Sequence, residues 1–374
     1  MKHILYLMHI PWGWIKQRPH FLAEHLAKHY IIDVYYRKAN TVAKNSMLTK
    51  KSCVPHLSIN GFNELPFRKI PILKYLNLKW INVLIAKWQI PNLAQYDYIW
   101  VTSPIQYLTF KPLLCEQKVI YDCMDDIIEF PSVKGNRRLA SELLEYEKNL
   151  LMSADYVVVS SEYLKNRILN RADIERKNVI VVNNAIQLPQ SLNCSAIPKE
   201  IEDKICYIRS LTCPFLYIGM ISPWFDFDAI TQALDKYPTL NIVLIGPCEV
   251  ELPKNSRIHY LGIVERKYIF PLMKVAHALI MPFKLNDLIY AVNPVKLYEY
   301  IYVGKPVISI RYGETEKFSD YVHLYGNMDE WLDLVGDILE EPQIYTKEEK
   351  EIRCFIENNT WDARSKQIMQ MLQS

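Results

Sequence analysis

Short apolar stretches alternate with helical patterns along nearly the whole chain. Runs rich in Val, Ile and Leu predict strands at 3–8, 31–36, 98–103, 118–122, 156–161, 178–182, 214–220, 241–246, 257–262, 277–283 and 306–310. Strands that are apolar on both faces and separated by helices are typical of parallel sheets buried on both sides. The pattern therefore predicts an α/β protein built from doubly wound sheets.

The sequence changes character between residues 186 and 212. This stretch is polar, contains two prolines and has no sustained periodicity, which predicts a linker. Strand and helix patterns then start again, and 374 residues exceed what one ordinary core encloses. We expect two Rossmann-like domains, 1–190 and 191–354, with a cleft between them. The stretch 345–373 has a helical pattern, in which Trp361 is the predicted core anchor.

Composition places the chain among globular proteins, with 50% hydrophobic and 23% charged residues. No apolar run approaches the roughly 18–20 residues that span a bilayer. His9 and Pro11 interrupt the first apolar run, which favours a core strand over a signal peptide. The eight cysteines include no C-x-x-C pair, so we expect reduced thiols in a cytoplasmic protein, without a zinc site or a disulfide framework.

Positive charge is concentrated towards the N-terminus. Residues 1–110 contain 14 Lys and Arg against 4 Asp and Glu, although the whole chain carries only +3. Such a half suits an anionic membrane surface, an anionic substrate or nucleic acid, but no nucleic-acid motif accompanies it. If it is helical after Pro71, the segment 67–88 is amphipathic and basic, as interfacial membrane helices are. The alternative is a surface helix packed on its own domain.

The stretch AVNPVKLYEYIYVGKPV predicts a helix with Asn293 as N-cap, Pro294 as first helical residue and Gly304 as the stop. Lys296 then lies in the first turn, where the helix dipole disfavours a cation by about 0.3–1 kcal/mol. A bound phosphate or diphosphate would offset this repulsion. Glu299 shares a face with Lys296 and suits the hydroxyls of a ribose. The alternative is an exposed ion pair between the two side chains.

Three carboxylates follow the predicted strand at 118–122. Asp122, Asp125 and Asp126 come at the carboxyl end of this strand, where α/β sheets bind ligands. They are candidates to bind sugar hydroxyls or to accept a proton from an acceptor hydroxyl. The alternatives are coordination of a divalent cation and simple capping of the next turn.

The segment WGWIKQRPHFLAEHL follows the first predicted strand. Arg18 is a candidate ligand for an anionic acceptor, His20 a candidate general base, and Trp14 a candidate platform for a sugar ring. The alternatives are a local ion pair for Arg18, helix capping by His20 and local packing for Trp14. The other histidines lack ligand spacing, so no metal site is predicted.

Seven stretches in order resemble GT-B glycosyltransferases, of the kind grouped with family 4 and the teichuronic-acid-type enzymes. They are QRPHFLAEHLAK (17–28), VIYDCMDDIIEF (119–130), SADYVVVSSEYL (153–164), VIVVNNAI (179–186), YIGMISPWFDFDAI (217–230), NPVKLYEYIYVGKPVIS (293–309) and NTWDAR (359–364). The likeness covers nearly the whole chain. It implies the GT-B fold, with the last helix, about 355–374, packed back on the N-terminal domain.

The resemblance also implies a donor site in the second domain. Glu299 would bind the donor ribose, Lys296 would face the diphosphate, and Gly219 would let the backbone approach the phosphates. The donor-binding residues implied are Gly219, Ile221, Ser222, Asn293, Pro294, Lys296 and Glu299. Ala291 stands where many family-4 enzymes have a further glutamate.

The function implied is a metal-independent glycosyltransferase of the hexosyltransferase type. It would need no cofactor and would move a sugar from a UDP- or GDP-sugar to a hydroxyl acceptor, a lipid-linked saccharide, in cell-surface polysaccharide biosynthesis. We expect a cytoplasmic protein with peripheral contact at the inner face of the plasma membrane. The alternatives are a UDP-sugar 2-epimerase of similar fold and a catalytically inactive nucleotide-sugar-binding protein.

Overall fold

The structure is a computed structural model that describes residues 1–13, 16–37, 54–63, 79–90, 92–172, 179–189 and 197–373. The chain divides into two compact units. Unit 1 comprises Met1–Asn183 and Arg364–Ser374, and unit 2 comprises Asn184–Ala363. The chain thus passes from unit 1 to unit 2 after Asn183 and returns after Ala363.

Unit 1 contains a seven-stranded sheet in which neighbouring strands run parallel. Its strands are β1 His3–Met8, β2 Ile31–Arg37, β3 Leu57–Phe62, β4 Tyr98–Val101, β5 Lys118–Cys123, β6 Tyr156–Val159 and β7 Val179–Val181, in the order β3-β2-β1-β4-β5-β6-β7. Its helices are α1 Arg18–Leu26, α2 Lys79–Gln89, α3 Pro104–Phe110, α4 Pro131–Lys134, α5 Arg137–Ser153 and α6 Glu162–Arg171.

Unit 2 contains a six-stranded parallel sheet. Its strands are β8 Pro214–Ile218, β9 Asn241–Ile245, β10 Ile258–Tyr260, β11 Ala278–Met281, β12 Val307–Ile310 and β13 His323–Tyr325, in the order β10-β9-β8-β11-β12-β13. The remaining helices are α7 Lys199–Ser210, α8 Phe227–Lys236, α9 Ile269–Lys274, α10 Asp287–Ala291, α11 Val295–Val303, α12 Gly313–Glu316, α13 Met328–Glu340, α14 Glu349–Asn358 and α15 Trp361–Gln373.

The central strands are buried on both faces, as their continuous apolar sequences predict. Every residue of β4 and of β11 is buried, and Ile4 in β1 lies opposite Ile32 on one side and Tyr98 on the other. This burial is what makes a Val/Ile/Leu run stable as an interior parallel strand. Trp361 is fully buried, as predicted for a core anchor.

The last helix completes unit 1 rather than unit 2. From α15, the Gln367 side-chain amide donates to Val181 O at 2.9 Å, and Arg364 Nε donates to Asn183 O at 3.1 Å. Both acceptors lie in or just after β7, at one edge of the sheet of unit 1.

Two features of the predicted secondary structure were wrong. The edge strands β3 and β13 were missed, because one contains Ser, Asn and Gly and the other has only three residues. The predicted linker at 186–212 contains α7. Ile201 and Ile208 of this helix are buried and Ile205 packs against the core, a spacing of four and three residues that suits one helical face.

Candidate functional site

Two glycines allow close approach at the carboxyl ends of β8 and β9. The backbone N–H of Gly219 donates to Ile245 O at 2.9 Å. A Cβ added at Gly246 would lie 2.1 Å from Gly219 O, and a Cβ added at Gly219 would lie 2.0 Å from Cε of Lys296. A larger residue at position 246 would therefore displace the backbone of Gly219, and a larger residue at position 219 would displace the side chain of Lys296. Gly246 has φ +133° and was not singled out from the sequence.

Lys296 extends across Gly219 from the first turn of α11. Its ammonium lies 5.6 Å from the ring centroid of Tyr217 and 5.8 Å from that of Phe283, within the range of cation–π attraction. Burial lowers the pKa of Lys296, and the charge of Glu299 opposes that effect. No Asp or Glu oxygen of the described residues lies within 4.0 Å of this ammonium. A cation held this way at a helix start suits an anionic ligand.

The start of α11 differs from the prediction by one residue. Pro294 occupies the N-cap position, and the helix begins at Val295 rather than at the proline. Asn293 does not cap the helix, because its side chain is bonded elsewhere. Gly304 ends the helix in the left-handed conformation with φ +74°, as predicted.

The side chain of Asn293 connects three parts of unit 2. Its Oδ1 accepts from the Asn184 N–H at 2.9 Å and from the Tyr298 hydroxyl at 3.1 Å, and its Nδ2 donates to Glu314 Oε2 at 2.9 Å. Its backbone carbonyl accepts from the Asn184 side-chain amide at 2.7 Å. These bonds hold the turn before α11, so Asn293 supports the site by positioning the start of this helix rather than by facing a ligand.

Ile221 and Ser222 continue the loop after Gly219. Ile221 is fully buried, and its N–H already donates to Pro247 O at 2.8 Å. The Ser222 hydroxyl donates to Glu249 Oε2, also at 2.8 Å. Both residues therefore anchor the loop to the segment that follows β9, which sets the position of Gly219.

Glu299 is located one turn after Lys296 and is only 5% exposed. One of its carboxylate oxygens, Oε1, accepts from Arg266, which lies in the short 3₁₀ turn Arg266–Tyr268 after β10. The exposed ion pair between Lys296 and Glu299, which the sequence left as an alternative, is not formed. Arg266 was not a candidate from the sequence, because nothing in its local pattern links it to a residue 33 positions away.

In unit 1, the first of the three aspartates forms a buried ion pair. Arg18 Nε donates to Asp122 Oδ1 at 2.9 Å, and Arg18 NH1 donates to Val182 O at 2.6 Å. Both side chains are almost fully buried. Burial raises the pKa of Asp122, and the guanidinium opposes this effect. This pair connects α1, β5 and the end of β7.

Asp126 forms a second buried network. It accepts from Arg167 Nε at 3.1 Å and from Arg171 NH2 at 2.6 Å, while the same arginine reaches Glu147 at 2.7 Å. These contacts join the segment after β5 to α5 and α6. Its carboxylate is thus occupied by two guanidinium groups.

Asp125 differs from its two neighbours. As a residue it is half-buried, and no ion pair to its carboxylate is found within the described part of the chain. Burial, together with the charges of Asp122 and Asp126, raises the pKa of Asp125 to about 6, against the opposing charge of Arg18. Of the three aspartates, it is the one whose carboxylate is not paired with an arginine among the described residues, and its pKa suits proton transfer near neutral pH.

His20 is buried in the first turn of α1. Its Nδ1 accepts from the Gln17 N–H at 3.2 Å, and its ring lies 5.1 Å from that of Trp12. Burial lowers the pKa of His20 to about 4, so the ring is neutral at pH 7. The geometry matches the helix-capping alternative. Trp14, the predicted sugar platform, lies outside the described residues.

The sequence did not single out His9, which follows β1. Its backbone N–H and its Nδ1 lie 3.0 Å and 2.7 Å from the hydroxyl oxygen of Thr102, which follows β4. The hydroxyl of Thr102 in turn lies 3.2 Å from Leu7 O. Since β1, β4 and β5 are adjacent parallel strands, His9 and Asp125 lie at the same carboxyl-terminal end of the sheet.

Two features of the described residues concern metals and membranes. No group of three or more His, Cys, Asp or Glu side chains in the described ranges is arranged to hold a metal ion. Among the helices in those ranges, none is both long enough and apolar enough to cross a bilayer.

Comparison with known proteins extends these observations. No protein-family model matches the chain. Over 251 residues it is 26% identical to the "Putative teichuronic acid biosynthesis glycosyltransferase TuaH" of Bacillus subtilis (strain 168), a match that covers 64% of this chain. The match spans 62% of TuaH, less than two thirds of its length.

Solved structures resemble the chain over its full length. The structure of Anabaena HepE in complex with UDP and glucose has a TM-score of 0.70 at 15% identity, covering 99% of each chain. Sucrose-phosphate synthase from Thermosynechococcus elongatus has a TM-score of 0.73, also at 15% identity, and covers 100% of this chain and 98% of its own. The chain has the GT-B fold. The resemblance drawn from the seven stretches is thereby confirmed for the fold, and the Lys296 site lies in the second Rossmann-like unit of GT-B.

Proposed function

We propose that this GT-B protein transfers a sugar from a nucleoside diphosphate donor to a hydroxyl acceptor in cell-surface polysaccharide biosynthesis. The observation that carries the proposal is the Lys296 ammonium, held over Gly219 at the start of α11 and within about 6 Å of the ring centroids of Tyr217 and Phe283. Departure of a diphosphate concentrates negative charge where an ammonium and a helix start can stabilise it. The name of TuaH supports a polysaccharide pathway.

The donor is proposed to be a uridine diphosphate sugar of the hexose type. HepE is described in complex with UDP and with UDP-glucose, which supports testing uridine donors first. Glu299 would accept hydrogen bonds from the ribose, and Lys296 would face the diphosphate. Because an ammonium and peptide dipoles supply the positive charge, we propose that neither a metal ion nor another cofactor is required. Turnover that is unchanged in excess EDTA would support this point, and loss restored by Mg²⁺ would refute it.

The acceptor hydroxyl is proposed to be handled by unit 1. The C1–O bond to the diphosphate breaks with its electron pair on the diphosphate, and the acceptor oxygen bonds to C1. Asp125 is the carboxylate suited to take the acceptor proton, and the His9 ring, at the same carboxyl-terminal end of the sheet, is a further hydrogen-bonding group. Arg18 and Asp126 would hold the segment that carries Asp125 in place through their buried ion pairs.

We also propose that the acceptor is a lipid-linked saccharide met at an anionic membrane on the cytoplasmic side. Trp80, Leu84 and Trp88 are spaced by four along α2 and are 57%, 54% and 82% exposed. Lys87 is exposed on the same helix, and α2 contains no acidic residue. Exposed tryptophans beside lysines suit the interface of an anionic bilayer.

Vesicle co-sedimentation tests the membrane proposal. Wild-type protein should bind vesicles containing phosphatidylglycerol more strongly than pure phosphatidylcholine, and binding should fall when Trp80, Leu84 and Trp88 are changed to Ser. Ile263→Ser is a matched control, because Ile263 is a similarly exposed apolar side chain in unit 2. Equal binding by the triple variant and the wild type would refute the role of α2.

A nucleotide-sugar screen tests the main proposal. Thermal-shift measurements with UDP-, GDP- and dTDP-sugars identify a donor, and release of free nucleotide is then measured with and without added saccharide acceptors. Release that depends on an acceptor supports a transferase. Sugar inversion without an acceptor would indicate the epimerase, and binding without any turnover the inactive protein.

A further inference from the structure

Among the residues that the structure describes, Arg266 forms the ion pair with the carboxylate of Glu299. Its NH2 group donates to Glu299 Oε1, from a turn that follows β10 on a different element from α11. The side chain of Arg266 is 34% exposed, whereas that of Glu299 is 7% exposed. The arginine therefore compensates the charge of a carboxylate that is nearly removed from water.

Without Arg266, the carboxylate of Glu299 has an alternative ion-pair partner on its own helix. Residues three apart on a helix lie on the same face, so Glu299 and Lys296 are natural ion-pair partners. A nearly buried carboxylate is costly unless it is paired, which would favour a contact with the ammonium. In the structure this contact is absent, and the ammonium instead lies over the rings of Tyr217 and Phe283.

We propose that Arg266 is a positioning residue that holds Glu299 away from Lys296, so that the ammonium stays available to a diphosphate and the carboxylate to a ribose. This inference rests on the proposed function for its ligand. The arginine separates two opposite charges that would otherwise neutralise each other within the same turn of α11. Its contribution is to keep the positive charge of Lys296 and the negative charge of Glu299 apart before a ligand binds.

The test is a double-mutant cycle measured by isothermal titration calorimetry with UDP. Arg266→Ala should raise the Kd at least tenfold, and Glu299→Gln alone should also weaken binding. In the Arg266→Ala background, however, Glu299→Gln should restore affinity, because it removes the carboxylate that neutralises Lys296. This reversal of sign is what a merely stabilising ion pair would not produce. Equal weakening by Glu299→Gln in both backgrounds would overturn the inference.

Two further variants control the cycle. Lys267→Ala removes a positive charge from the neighbouring position, where the lysine is exposed and pairs with Glu265, and it should leave the Kd within twofold. Arg266→Lys keeps a positive charge and should retain most of the affinity. If Arg266→Ala fails to fold, Glu299→Gln is compared in the Arg266→Lys and Arg266→Gln backgrounds instead. It should weaken UDP binding in the first background and restore it in the second.

A nucleotide-free measurement separates this inference from the proposed function. Acylation of Lys296 by an N-hydroxysuccinimide ester is followed by mass spectrometry in the four proteins of the cycle. The rate should fall severalfold in Arg266→Ala, where the ammonium pairs with Glu299, and recover in the double variant. An unchanged rate refutes the role of Arg266 even if UDP binds. The expected rates in a protein that binds no nucleotide would refute only the proposed function.

Discussion

Substitution of Gly219 by Ala gives the sharpest test of the site in unit 2. The new Cβ would lie 2.0 Å from Cε and 2.7 Å from Nζ of Lys296. Carbon atoms in contact are about 3.5–4.0 Å apart, so the lysine must move by roughly 1.5–2 Å. The displaced atoms belong to the flexible end of a side chain, so the clash itself should weaken UDP binding more than it destabilises the fold.

The expected magnitude follows from what the lysine supplies. A hydrogen bond to a charged group contributes about 1.5–3 kcal/mol. Since about 1.4 kcal/mol is tenfold in affinity, the Kd for UDP should rise roughly 10- to 100-fold. Gly219 also has φ +154°, and a side chain there costs about 1–3 kcal/mol of unfolding free energy.

Calorimetry with UDP and urea unfolding measure the two effects. Gly313→Ala is the matched control, since nothing lies within 4 Å of a Cβ at that position. In a Lys296→Ala background, Gly219→Ala should weaken UDP binding little further, because the group that it displaces is gone. Equal weakening in both backgrounds would show that the Gly219 backbone itself matters, and the reasoning about lysine displacement would be wrong.

Three further predictions concern the other site residues. Arg18→Met should lower the free energy of unfolding by about 3–5 kcal/mol in urea titrations, because it leaves buried Asp122 unpaired; unchanged stability with weaker acceptor binding would instead favour the direct acceptor role. Asp125→Asn should reduce turnover yet raise stability by about 1–2 kcal/mol at pH 7.5. Its folded pKa of about 6 exceeds the ordinary 3.8, so the ionised carboxylate costs stability above about pH 6. The gain from Asn should therefore shrink as the pH falls from 6 towards 3.8. Asn293→Ala should lower stability by about 1–3 kcal/mol and weaken UDP binding, since Asn184 and Glu314 lose a partner; stability lost without any change in Kd would contradict its support of the site.

Much of the fold could be predicted, because parallel strands carry their signal locally. The run HILYLM matches β1 residue for residue, since burial on both faces demands apolar side chains at every position. Edge strands such as β3 escape this rule, because one side of each lacks a neighbour and tolerates polar residues. Helix α7 was wrongly predicted as part of a linker, because Ile201, Ile205 and Ile208 form a narrow apolar face in a mostly polar stretch.

The site was harder to predict, because its chemistry depends on partners far apart in sequence. Lys296 stood out through a local conflict with the helix dipole. By contrast, the positions of Arg18 and Asp122 differ by 104, and only the fold brings them together. Three aspartates within five residues look equivalent in the sequence, yet arginines occupy two of them and leave Asp125 available.

The return of the chain to unit 1 has a consequence for biosynthesis. Most of unit 1 leaves the ribosome before unit 2, yet unit 1 cannot be finished until α15 has been synthesised, whereas unit 2 is one continuous segment. Domains usually mature in the order of their synthesis. Here that order should be inverted, so that a truncation near the C-terminus harms the half of the protein that was made first.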